Sequence, residues 1–276
     1  MKIRFFILIL ISYTNSFASK AEELEAVHFA YANYLGNGIY KTTDQDASLI
    51  SMPFSYELGS IGKTSYGLRL PLSLGFFDFQ FSDITNLDLP DEVGTATFTP
   101  GVAIHYQYNL DWTIETYIDA GYGRNLTTNR GVKIHSAGVS ALYSFDYKKY
   151  DSVWATRLYY AHYSGNGYQV KDTYAALQTG VDVGLPQRYK ILDYSFQPRL
   201  FATAFWYFSE VDFISLRERK LDEEANVSLS NSIEFGITLK FAKTIGYSWA
   251  GIDRIGLSYR FSENFNAVRL LFSLPI

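Results

Sequence analysis

His162 and Ser164 come nearest, of all residues in this sequence, to a spacing that supports covalent chemistry. An imidazole within hydrogen-bond reach of a hydroxyl can take its proton and make it a nucleophile. A third group must then hold the imidazole in the right tautomer. Residues two apart in an extended chain share a face, so His162-Tyr163-Ser164, followed by Gly165-Asn166-Gly167, sets imidazole and hydroxyl side by side where a strand ends. The next strand offers Thr173, Ala175, Leu177 and Thr179 on that face, with no acid or amide among them. The plainer reading of the pair is a histidine at an interface and a serine opening a loop. His28, His105 and His135 are scattered, without HxH or HExxH spacing, so no metal site is expected. No glycine-rich loop stands in a strand–GxxxxGK context, and no cofactor is expected. The chain has no cysteine, which removes a thiol nucleophile, disulfides and a lipid-modified N-terminal cysteine. A net charge of −4 and a pI near 5.6 leave no footprint for nucleic acid.

A second set of chemically capable residues consists of Arg69, Glu115, Asp119, Arg157, Asp182, Arg199, Glu234, Lys240 and Arg269. What unites them is phase. Each falls in the polar half of a period-two alternation. In 64–77, Tyr66, Leu68, Leu70, Leu72, Leu74 and Phe76 alternate with Ser65, Gly67, Arg69, Pro71, Ser73 and Gly75. In 96–108, Phe98, Val102, Ile104, Tyr106 and Tyr108 oppose Thr97, Thr99, His105 and Gln107. In 227–241, Val227, Leu229, Ile233, Phe235, Ile237, Leu239 and Phe241 oppose Ser228, Ser230, Ser232, Glu234, Thr238 and Lys240. Such alternation puts one side-chain set on each face of a sheet.

The elements that position these residues are long strands. About twelve are expected, at 36–43, 47–58, 64–77, 96–108, 112–123, 131–145, 152–163, 173–184, 193–207, 226–241, 252–262 and 265–276. At roughly 10–15 residues they exceed the usual globular strand of about 5–6 and match what a tilted strand needs to cross a bilayer. Hydrophobic residues make up 47%, yet mean hydropathy is only −0.06, so apolar and polar residues are interleaved. No apolar run is long enough for a spanning helix. The 23 Tyr and 21 Phe suit rings that sit half in lipid and half in water. A lysine or arginine facing lipid at midplane costs about 2–4 kcal/mol. Charges kept to one face therefore point to an all-β, transmembrane antiparallel barrel with the charged set lining its interior. A soluble sheet with a wet face is the alternative. First and last strands must pair, because an open edge in lipid leaves backbone groups unsatisfied. An even strand number puts both termini on one side, with 78–95, 124–130, 164–172 and 208–225 as outer connections, Asn109-Leu110-Asp111 as a tight inner turn, and 185–192 and 242–251 as longer inner ones.

The N-terminus reads as an export signal over 1–18. Lys2 and Arg4 precede the apolar stretch Phe5 to Ile11, and Ser16-Phe17-Ala18 presents small residues at −3 and −1 for cleavage after Ala18. Residues 19–34, with Leu24, Val27 and Tyr31 at helical spacing, read as a short helix ahead of one barrel domain spanning 19–276. The run Arg217 to Glu224 mixes both signs and reads as a solvated loop tip.

Residues 70–123 contain P-L-x-L-G-F, an acidic loop, F-x-P-G-V and then D-W-T-I-x-x-Y-x-x-A-G-Y-G. This order resembles the solitary outer membrane autotransporter β-barrel domain family, and the tail Asp253 to Phe261, followed by a short turn and a last strand, is similar as well. The resemblance implies a Gram-negative outer-membrane barrel of translocator type with no passenger, and no catalytic residues. It implies as partners outer-membrane lipids, lipopolysaccharide and the barrel assembly machinery, and a monomer. Outer-membrane barrels usually end on an aromatic residue; here Val268, Leu270, Phe272, Leu274 and Ile276 alternate outward and Ile276 takes that place. Two further functions stay open: a porin-like small-solute channel lined by the charged set, and a lipid hydrolase using His162 and Ser164, laid out as in outer-membrane phospholipases and lipid A deacylases.

Overall fold

A computed structural model describes residues 38–42, 46–77, 94–126, 129–165, 171–191, 194–208, 212–213, 227–228, 231–247, 250–263 and 265–275. The signal at 1–18, the helix at 19–34 and the charge run at 217–224 lie outside the described residues. Within them the chain is almost entirely strand: β1 (Gly38–Thr42), β2 (Asp46–Ile61), β3 (Thr64–Phe77), β4 (Thr95–Phe98), β5 (Gly101–Gln107), β6 (Trp112–Asn125), β7 (Gly131–Tyr147) and β8 (Tyr150–Gly165). Then come β9 (Lys171–Gly184), β10 (Tyr189–Ile191), β11 (Tyr194–Tyr207), β12 (Asp212–Phe213), β13 (Val227–Ser228), β14 (Ser232–Tyr247), β15 (Ala250–Ser262) and β16 (Phe265–Leu271).

Every pairing is antiparallel, and the pairings close. One sheet of 14 strands runs in order from β11 through β14, β15 and β16 to β1, onward to β9, and β9 pairs β11 again. Both β4 and β5 pair β3 on one side and β6 on the other, so they share one stave, and β10 is a short flap on β11. Twelve staves remain. Closure runs through β1 and β16, from Gly38 opposite Arg269 to Thr42 opposite Phe265. No lipid-facing edge is left in that ring, which is the condition for a strand-built structure to stand in a membrane.

The alternation sorts as expected. Outward stand Ile118 at 65% exposure and Leu257 at 50%, with Val102, Ile104, Val139, Leu158, Leu200 and Ile237 among the other exposed apolar residues. Inward, Asp182, Glu234 and Arg260 are fully buried. An apolar outside around a charged inside inverts a soluble protein. It satisfies a chain whose solvent is hydrocarbon. One end of the barrel has tight turns, at Gly62-Lys63, Asn109 to Asp111 and Lys148-Lys149. In the second of these, Asn109 Oδ1 accepts from the backbone amides of Asp111 and Trp112 at 2.9 and 2.8 Å. This is the turn end. The connections 78–94 and 208–231 leave from the opposite, loop end.

Several expected boundaries are corrected. The strand at 96–108 is broken at Thr99-Pro100, because proline has no amide to give the ladder. The stave is stitched across the gap by Thr99 N donating to Pro71 O at 3.1 Å and Ala120 N to Pro100 O at 2.9 Å. The strand at 226–241 starts only at Ser232, and Val227 belongs instead to a small ladder with Phe213. The inner connection at 242–251 is mostly strand, and the one at 185–192 contains the three-residue strand β10. The flap β10 folds onto β11, and the β14–β15 hairpin runs to Tyr247 opposite Ala250 beyond a register shift between Lys240 and Ile245. Finally, the strand at 265–276 ends at Leu271, so Phe272 and Leu274 do not continue an outward row.

Gly121 faces the break in the β4–β5 stave. A Cβ there would meet the Phe98 carbonyl and lie 2.6 Å from Thr99 Cα, both backbone atoms that cannot swing aside. Gly121→Val should cost about 1–3 kcal/mol as an overpacked site, read as a lower urea midpoint of the folded barrel in lipid vesicles. Gly67→Ala, whose nearest neighbour is Tyr56 O at 3.6 Å, should leave the midpoint nearly unchanged.

Candidate functional site: the charged lumen and the loop-end rim

The interior charges form three groups, each assembled by facing staves. In the first, Asp182 of β9 accepts from Arg199 Nε of β11 at 2.6 Å and from Arg254 Nη1 of β15 at 3.1 Å. Arg199 also pairs with Asp151 at the start of β8. Arg254 reaches Thr238 Oγ1 at 3.3 Å. In the second, Glu234 of β14 holds Arg269 of β16 and accepts from Ser258 Oγ. Arg260 stacks on the Phe205 ring, with its guanidinium carbon 3.6 Å from the centroid, and donates to Ser232 Oγ at 2.9 Å and to the Tyr207 hydroxyl. In the third, Arg69 of β3 forks onto Asp119 of β6 at 2.9 and 3.2 Å and lies 4.0 Å over the Tyr117 ring. Arg157 donates to Ser140 at 2.8 Å, and His105 stands 3.6 Å from Glu115.

Of the nine charged residues expected in the lumen, Asp119, Asp182, Arg199, Glu234 and Arg269 are buried. Arg69, Glu115 and Arg157 are half-buried around a cavity of about 180 Å3 that Asp119, Tyr159 and Gln178 also line. An adjoining cavity of about 340 Å3, bordered by Glu57, Tyr66 and His105, continues it toward the turn end. Lys240 is exposed and lines a separate recess with Asp151, Arg188 and Gln197. Sequence reasoning left out Arg254, Arg260 and Asp151. The first two were legible, since Arg254, Gly256, Ser258 and Arg260 alternate with Ile255, Leu257, Tyr259 and Phe261.

The lumen also receives the chain itself. After Leu271 the backbone leaves the wall, Pro275 is buried, and its carbonyl accepts a 3.0 Å hydrogen bond from Gln178 Nε2 on β9, four staves away from β16.

His162 and Ser164 lie on the outward face at the loop end, in phase with Trp154, Leu158 and Tyr160. His162 Nδ1 meets Thr173 Oγ1 at 3.2 Å, and no hydrogen bond joins His162 to Ser164. His135 stands directly opposite His162 in the register, and Lys133 opposite Ser164. Among the described residues no group of His, Asp and Glu is placed to hold a metal ion.

No protein-family model and no curated protein matches the chain. Among solved structures it is similar to the beta domain of the Bordetella autotransporter BrkA, with a TM-score of 0.50 and 12% identity over 86% of this chain and 96% of that one. This chain has the fold of an outer-membrane β-barrel. The barrel was also matched to the outer membrane transporter YddB of Escherichia coli, at a TM-score of 0.33 and 11% identity over 83% of this chain and 36% of that one. A third match is OccK5 (OpdH) of Pseudomonas aeruginosa, at a TM-score of 0.23 and 11% identity over 85% and 94%.

Proposed function

We propose that this chain is an integral outer-membrane barrel of autotransporter-translocator type, exported by a signal cleaved after Ala18 and held closed at rest by its own interior. The observation that carries the reading is the lumen. Arg69, Arg199, Arg254 and Arg269 are held by carboxylates of other staves instead of lining an open path, and the 272–275 segment reaches Gln178. Charge-assisted Arg–carboxylate hydrogen bonds are stronger than neutral ones, so they brace the wall from inside. The outward apolar surface supports residence in the outer membrane as a single barrel, with its turn end toward the periplasm.

A chain ending at Leu271 should show stepwise ion current in a planar bilayer, where the full chain shows none or brief flickers. Steady open conductance of the full chain would instead favour a small-solute channel. The two adjoining cavities around Arg69 and His105 give that second reading its foothold.

A further inference from the structure

At the loop end, the outward face of β6, β7 and β8 carries a group of basic and hydroxyl side chains. Arg124 of β6 and Lys133 of β7 stand exposed there, with exposed His135 on β7 and half-buried His162 and Ser164 on β8. The register fixes their proximity. Lys133 is opposite Tyr122 on one side and Ser164 on the other, His135 is opposite His162, and Lys171 occupies the position opposite Ser164 on β9. Directly opposed residues bring their Cβ atoms within about 4.5–5.5 Å. Lys133, His135, His162 and Ser164 therefore share one patch, and Arg124, opposite Gly131 and diagonal to Lys133, adjoins it on the third stave.

The patch sits just above the apolar belt. The next outward rows toward the turn end are Ala137 and Tyr160, then Val139 and Leu158. Tyr160 and Tyr122 are exposed at 46% and 61%, and tyrosines in that setting mark the headgroup level. No described acid is paired with this cluster. Two features prepare it for an anion. Arg124 is held by Asn129 Oδ1, which restricts its guanidinium. The Thr173 hydroxyl engages Nδ1 of His162, which leaves Nε2 as the ring nitrogen to meet a ligand.

We propose that Arg124, Lys133, His135, His162 and Ser164 form a binding site for the phosphate groups of an anionic lipid headgroup in the leaflet at the loop end. The inference rests on the membrane-barrel reading above. Cationic side chains and hydroxyls at the wall replace water around the phosphate oxygens, and the belt below packs the acyl chains. The geometry also gives the H-x-S pair a role that needs no orienting acid.

The test uses the full chain in phosphatidylcholine nanodiscs carrying a labelled bis-phosphorylated glucosamine lipid. Arg124→Ala/Lys133→Ala should weaken lipid binding about 10- to 30-fold, and Lys148→Ala/Lys149→Ala, which removes equal charge at the turn end, less than about twofold. Equal weakening by the two double variants, or by neither, overturns the site. Displacement of the lipid by an equal concentration of inorganic phosphate overturns the lipid assignment. Heat-modifiable gel migration of the same nanodisc samples separates the two readings. A barrel that inserts but ignores the phosphorylated lipid sinks this inference alone, whereas a chain that enters no bilayer sinks both.

Discussion

Asp182→Ala is expected to destabilise the folded barrel by about 3–5 kcal/mol, the cost of leaving a buried charge without its partner. Asp182 is fully buried and serves two guanidiniums from different staves, so its removal strands charge on both β11 and β15. The losses are unequal. Arg199 keeps Asp151, while Arg254 keeps only the Thr238 hydroxyl, and its Nε has no partner even in the intact barrel. Asp182→Asn preserves shape and one acceptor oxygen but not the charge, and should fall between wild type and alanine. Glu115→Ala is the contrasting case. Its partner His105 lies 3.6 Å away and both are partly exposed, so the expected loss is within about 1 kcal/mol. Urea unfolding in vesicles, followed by tryptophan fluorescence, orders the three. An unchanged midpoint for Asp182→Ala would mean that water or counter-ions already neutralise the lumen, and the bracing role of the ion pairs would be lost with it.

The architecture was legible wherever phase alone decides. A strand with lipid on one side and polar packing on the other must alternate, so stave number, facing and closure followed from residues such as Leu68 against Arg69 or Ile237 against Thr238. Phase says nothing about whether a partner strand exists. Phe272 and Leu274 keep the outward alternation, yet among the described residues β1 supplies partners only to Arg269 and β15 only to Leu271. There the backbone leaves the wall, and the Pro275 carbonyl accepts from Gln178. A phase slip hides structure in the same way. The register shift between Lys240 and Ile245 breaks the alternation, so a continuing hairpin reads as a loop. The loop-end patch was half legible. The H-x-S spacing drew notice as chemistry, but Arg124, Lys133 and His135 come from two other staves, and only the register shows that they share one surface.

The outward face makes the other large prediction. Leu257 is 50% exposed near the middle of β15, flanked in the register by Ile237 on β14 and Leu270 on β16. Leu257→Arg puts a guanidinium in hydrocarbon with no described acid on the outward face beside it. At the midplane that should cost about 2–4 kcal/mol, and the arginine stem is too short to snorkel freely to either rim. Leu110→Arg makes the same change on a residue that is 96% exposed at a turn tip. There the cost should be near zero, within about 0.5 kcal/mol. The contrast in depth matters more than either value. A water-exposed sheet would accept both arginines alike, because solvation of a surface charge does not depend on its height along the strand. If refolding into vesicles proceeds equally well for both variants, the apolar wall does not face lipid, and the closed, charge-lined interior would need a different explanation.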